Sequence, residues 1–209
     1  MTGGDGFVSD DEITDYLNAA LCELYDELLL SHGETRYMRS QVLTVTSGSA
    51  TAPTDWMRTL RVEWAYGSVV YPLEPQEFRG SAQWGVVRSW SPTDPPRYRV
   101  STDTSAATTK LYVYPTPSTA QTVTIHYLPL PFQFALATPT AENPYNCDEV
   151  LVLSAAIKML AKEESPTQGL ENELERQLQR IRARAGDDRG LPRRVADIGG
   201  WGVRVRGVW

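Results

Sequence analysis

The chain has 209 residues, of which 41% are hydrophobic, 10% aromatic and 22% charged, a balance that fills a buried core and excludes a disordered or collagen-like polymer. No run approaches about eighteen apolar residues, and the opening MTGGDGFVSDDE has neither the basic nor the apolar part of a secretion signal, so a soluble intracellular protein is expected. The formal charge of −6 is unevenly spread: nine acids and no Lys or Arg precede Arg36, whereas nine arginines from Arg176 onward face three aspartates, a net of +6. Such asymmetry means that the two ends have different surroundings.

Ser9 and Glu12 form an S-x-x-E capping box, and Ile13, Leu17, Leu21, Leu24 and Leu28 follow at helical spacing with Tyr16 and Tyr25 beside them, which predicts one amphipathic helix over about 10–31, stopped near Gly33. The pattern then changes. QVLTVTS, TLRVEWAYG, SVVYPL, AQWGVVRSW, RYRVS, KLYVYPTP and QTVTIHYLPL are short runs rich in Val, Thr, Tyr and Trp, separated by Gly, Pro, Ser and Asp. They read as seven strands of a small antiparallel sandwich or barrel, with Gly67-Ser68 as a tight hairpin turn.

Helical spacing returns after residue 140. Asn146 and Glu149 look like a second capping signal ahead of VLVLSAAIKMLAKEE, whose apolar residues on most sides predict a buried helix. Ser165-Pro166 should break it and start the next helix, Ser as N-cap and Pro at the first helical position. Leu170, Leu174, Leu178 and Ile181 form a narrow seam on that last helix, a subunit-packing face against another helix. Past Ala185 the turn-rich GDDRGLPRRVADIGG should be extended, and WGVRVRGVW reads as a strand with Arg204 and Arg206 on one face and Trp201, Val203, Val205 and Trp209 on the other. Cys22 and Cys147, each in a helical segment and without CxxC spacing, are expected to be buried free thiols. The fold class is therefore α+β. Its parts are an N-terminal helix (1–35) belonging to a helical body, an inserted antiparallel β-rich domain (36–140), two further helices of that body (141–186) and an extended C-terminal arm (187–209).

Chemistry is hard to find. His32 and His126 have no Cys or carboxylate at metal-ligand spacing, and nucleophile-elbow, zincin, phosphate-loop and dinucleotide-binding signatures are absent. No catalytic, cofactor or metal residue is assigned, and an enzyme is not expected. The aromatics Trp56, Trp64, Tyr66, Tyr71, Trp84, Trp90, Tyr98, Tyr112, Tyr114 and Tyr127 all lie in the β region. They suit a core or an interface, and in a different class of function an aromatic-faced sheet could bind carbohydrate.

The stretches WMRTLRVEWAYGSVVYPLEPQEF, LYVYPTPSTAQTVTIHYLPLP, CDEVLVLSAAIKMLAKEESPTQGLENELERQLQRIRARA and PRRVADI together resemble the head-to-tail adaptor proteins of tailed bacteriophages, over about residues 10–198. The resemblance implies a helical body carrying a β-rich domain, assembled as a ring, typically a dodecamer, beneath the portal. That ring would extend the DNA channel and offer a platform to the tail, without cofactor or turnover. The partners implied are the portal protein, a tail or nozzle protein and other copies of the chain, with double-stranded DNA passing through unbound and no membrane involved. The place implied is the head-tail junction of the virion, assembled in the host cytoplasm. Another connector or a tail-completion protein is the nearest alternative. In related adaptors the C-terminal segment often grips the portal, which assigns Trp201, Val203, Arg204, Val205, Arg206 and Trp209 to a portal-binding arm. Residues 187–209 could reach roughly 75 Å when extended. Asp11, Asp15 and Glu23 are expected to face the channel, where acids avoid holding phosphate.

Overall fold

The computed structural model describes residues 8–76, 87–103, 108–135 and 145–188. The helix α1 (Asp10–His32) starts at the expected box: Ser9 Oγ accepts from the Glu12 amide at 3.3 Å, and the Ser9 amide donates to the Glu12 carboxylate at 3.1 Å. It stops at Gly33, whose φ of 86° suits glycine.

The two later helices differ in detail from expectation. α2 (Asp148–Lys162) is capped at Cys147 with no side-chain hydrogen bond. Asn146 has a φ of 53° and precedes the cap instead of forming it, so Cys147 stands at the helix boundary; both cysteines are free and half-buried. Nor is α2 buried all round: Val150, Leu151, Ser154 and Ala155 are buried, while Val152 faces outward. The chain leaves α2 through Glu164, at a φ of 54°, with the Ser165 amide donating to the Leu160 carbonyl at 3.0 Å. α3 (Gln168–Asp188) therefore begins later than Ser165-Pro166 suggests, its first turn closed by Leu170 and Glu171 amides on the Thr167 carbonyl.

Nine strands lie among the described residues, two more than expected: β1 (Arg39–Val45), β2 (Ser49–Thr51), β3 (Trp56–Tyr66), β4 (Val69–Pro75), β5 (Val87–Arg88), β6 (Arg97–Asp103), β7 (Thr108–Tyr114), β8 (Thr116–Pro117) and β9 (Gln121–Pro129). Seven form one sheet in the order β1-β9-β3-β4-β6-β7-β2, and β5 pairs with β8. Pairing in the large sheet is antiparallel except between β4 and β6, where Glu74 and Pro75 run parallel to Arg97 and Tyr98. β1 and β2, at opposite ends of the order, are joined by the tight turn Ser47-Gly48 and by the Thr46–Ser49 bridge. The sheet therefore curls until its ends meet, as in a barrel. Gly48 is required there, because its φ is 82° and an added Cβ would lie 2.8 Å from Thr116 Oγ1.

Alternation explains the sheet core. Leu43, Val45, Val62, Trp64, Leu73, Leu111, Val113, Val123, Ile125 and Tyr127 point inward from β1, β3, β4, β7 and β9 and meet Trp90. A second core joins Ala20, Leu21, Leu24 and Leu28 of α1 to Val150 and Leu151 of α2 and Ile181 of α3. Phe132 and Phe134, just past β9, pack against this helical core, so a strand paired on both sides in the sheet runs directly into the helices. The whole is the expected α+β arrangement. The segment 189–209, with the arm residues, lies outside the described residues, as does Trp84.

Candidate interaction surfaces

The acids of α1 divide into two sets. One set pairs with the later helices: Glu12 with Lys162 at 2.5 Å, Glu23 with Lys158 at 2.7 Å and Glu27 with Arg182 at 2.7 Å. The Lys162 ammonium holds the Glu12 carboxyl below its ordinary range, and Arg182 does the same to Glu27. Three of the nine acids before Arg36 are thus matched by α2 and α3, with Arg182 the one member of the arginine-rich end among these partners. Asp10, Asp11, Asp15 and Asp26 form the other set and are exposed. Of the three acids predicted to face a channel, Glu23 has its carboxylate committed to Lys158, and Asp11 and Asp15 point to solvent.

The leucine seam of α3 turns inward. Ile181 belongs to the helical core, Leu174 and Leu178 pack against it, and Leu170 is half-buried at the start of the helix.

The β-region aromatics are mostly structural. Trp64 and Trp90 are buried and meet edge to face at 5.6 Å, and the Trp90 indole donates to the Pro115 carbonyl at 2.7 Å. Trp56, Tyr71 and Tyr98 pack against the same core. Sugar stacking needs several exposed ring faces, and among the described β-region aromatics Tyr66 alone is largely exposed.

Three strands bring together a constellation that sequence order conceals. Ser40 Oγ lies 2.7 Å from His126 Nδ1, and Glu63 Oε2 lies 3.1 Å from His126 Nε2, near enough for attraction but without the alignment of a hydrogen bond. Arg61 holds the same Glu63 at 2.7 Å. The order resembles a hydrolytic triad, yet it sits on paired strands: Ser40 faces His126 and His126 faces Arg61 in the ladder. Amides committed to a ladder do not form an oxyanion hole. Among the described residues no group of His, Cys, Asp and Glu could hold a metal ion, and no helix is long and apolar enough to cross a membrane.

A cleft of about 680 Å³ lies between the C-terminal end of α1 and the adjoining ends of β1, β3 and β9. Tyr25, Tyr37 and Tyr145 form a ring cluster in its wall, with centroids 5.5 to 6.1 Å apart. Tyr25 donates to the Pro129 carbonyl at 3.0 Å, and Tyr127 donates to Asp55 at 2.9 Å. Arg39 closes on the other Asp55 oxygen at 2.6 Å. Burial pushes the Tyr25 hydroxyl up to about 12, so this wall is neutral and donates. Leu130 and Met38 project at the rim. Aromatic faces, an apolar rim and an internally matched ion pair suit binding an apolar protrusion. Its lining comes from segments more than a hundred residues apart; the only local sign is the P-L-P run at 129–131.

A family model described as SU10 adaptor protein matches residues 2–196, nearly the whole chain, through both helical segments and the strands between them. No curated protein matches the chain.

Proposed function

The chain belongs to the SU10 adaptor protein family, a family of phage head-tail adaptors, and on that premise we propose that it forms a ring, a dodecamer, between the portal and the tail. The observation that carries this reading is the extent of the family match, which covers α1, the sheet and both later helices in one order. The ring continues the DNA channel, presents a platform to a tail or nozzle protein, and works by binding rather than catalysis. Assembly takes place in the host cytoplasm, and the product is part of the virion. DNA passes without specific contact. Asp11 and Asp15 are the exposed acids of α1 available to line the passage.

The portal contact is assigned to the arm that holds Trp201, Val203, Arg204, Val205, Arg206 and Trp209. Burying two Trp removes roughly 300 to 500 Å² from water, about 7 to 12 kcal/mol. Ordering nine residues at about 1 to 2 kcal/mol each offsets all of that or more. One arm is weak; a ring of arms gains from effective concentration.

Mass photometry of the full-length chain and of a truncation ending at Asp197, each mixed with portal rings of the same phage, tests the proposal. Addition of a ring-sized mass by the full-length chain alone supports the arm. Equal addition by both moves the contact to the folded body, and addition by neither removes the portal-bound reading.

A further inference from the structure

β3 has unlike ends. At one end it turns into β4 through Gly67-Ser68, with Tyr66 opposite Val69 and Ala65 opposite Val70. Successive side chains of a strand point to opposite faces, so this hairpin tip is apolar on both. From Trp64 to Tyr71 no residue is charged. Tyr66, Val69 and Val70 are 53%, 50% and 53% exposed. A hairpin whose only role is to cover a core keeps its outer face polar; an apolar finger on both faces is built to be covered.

The other end of β3 meets the cleft. Trp56 follows Asp55, which lines the cleft and whose carbonyl accepts from the Leu130 amide at 2.6 Å. Ten residue steps at about 3.3 Å put finger and cleft roughly 30 Å apart along one paired strand. A chain therefore cannot place its own finger in its own cleft. We propose that the hairpin tip, Tyr66, Val69 and Val70, docks into the cleft of the next copy, between Tyr37, Met38, Leu130 and Phe132. The proposal rests on the ring reading above for its closure: finger-to-cleft contact is heterologous, and a heterologous contact closes when its rotation allows a ring.

The chemistry of the two surfaces agrees. The finger brings no charge into a cleft whose Arg39 and Asp55 are matched to each other and whose other charged side chain, Arg36, reaches His32 Nδ1 at 3.4 Å, so docking adds no new charge to be paired. Tyr37 and Phe132 offer ring faces, and Met38 offers an adaptable thioether. Tyr66 and two valines cover roughly 300 Å², well below the about 800 Å² per partner of a stable interface. One such contact does not hold two free copies together. Each copy in a closed ring has two, and the portal that carries the ring supplies the local concentration. A free chain is therefore expected to stay monomeric until a scaffold gathers it.

The test uses the full chain with Cys22→Ser and Cys147→Ser, carrying either Val69→Cys or Leu130→Cys. The two proteins are mixed with portal rings, oxidised gently and run without reductant. Covalent dimers from the mixture, and none from either protein alone, are expected; a chain carrying both cysteines should give a ladder. Addition to the portal without a crosslink overturns the proposal, as does a Val69→Cys link to the portal itself. Val70→Asp, a change at an exposed position that circular dichroism can show to be folded, should weaken ring addition about tenfold or more; unchanged addition also overturns it. If the unaltered chain does not add to the portal, the ring reading fails separately. The same crosslink in concentrated free protein then decides the finger contact: dimers uphold it, and their absence ends it.

Discussion

Tyr25 carries more of the fold than its single hydroxyl suggests. Its ring closes the helical side of the cleft against Tyr37 and Tyr145, and its hydroxyl donates to the buried carbonyl of Pro129 at the end of β9. Tyr25→Phe should cost about 1 to 2 kcal/mol in chemical denaturation, because it leaves that carbonyl without its donor. The same residue makes an alkaline prediction. Burial pushes Tyr25 up to about 12, and burial together with the bond to Asp55 pushes Tyr127 up to about 12. The folded state thus keeps protons that the unfolded chain gives up near the ordinary value of 10. Their contribution is fully present below about pH 10 and is lost as the pH rises toward about 12. Tyrosinate absorbance should show a late-titrating fraction that shrinks in Tyr25→Phe and Tyr127→Phe, and the fall of stability with pH over that window should flatten in both.

Between elements, the ion pairs of α1 make the opposite prediction with pH. Glu12 and Glu27 are held below their ordinary range by Lys162 and Arg182, so the folded state binds fewer protons than the unfolded chain as the pH drops through about 4.5 and below. Their support is present above that value and lost beneath it. Thermal melts from neutral to acid pH should show a steep acid loss that Glu27→Gln reduces, while lowering the neutral melting point by roughly 2 °C, a small effect because exposed pairs are screened. The sequence displayed the acidic start of the chain, but not the pairing of Glu12 and Glu23, which needs α2 antiparallel beside α1, or that of Glu27, which needs α3. Strands were legible for a similar reason: alternation in β3 and β9 is local. The parallel join of β4 to β6 is not local, nor is the meeting of Ser40, Glu63 and His126. The capping box of α1 was read correctly because all its atoms lie within four residues. The start of α3 was misread because Pro166 fits a first turn but the exit from α2 through Glu164 consumes the residues around it. No motif announced the cleft, since its walls come from α1, β1, β3, β9 and Tyr145.

At the scale of the molecule, two cores raise the question of whether helices and sheet fold separately. Connections between them are few but central. Asn18 of α1 both donates to the Phe134 carbonyl at 3.0 Å and accepts from the Phe134 amide at 2.7 Å. Phe132 and Phe134 meet edge to face at 5.2 Å while packed on the helical core. β9, which supplies them, is paired on both sides in the sheet. Unfolding the helices would therefore expose two Phe rings and strip the end of β9, and unfolding the sheet would free the segment that seals α1. Neither core can be lost at small cost, so one cooperative transition is expected. The described tryptophans, Trp56, Trp64 and Trp90, all lie in the β region, whereas far-ultraviolet dichroism is dominated by the three helices. Urea denaturation followed by both probes should give one midpoint. Asn18→Ala should shift both together by about 1 to 3 kcal/mol, since it removes two partly buried hydrogen bonds. A dichroism transition that separates from the tryptophan transition in the unaltered chain would mean that the helices are an independent unit. A finger docked in one copy's cleft would then bridge the hinge between units instead of a rigid seat.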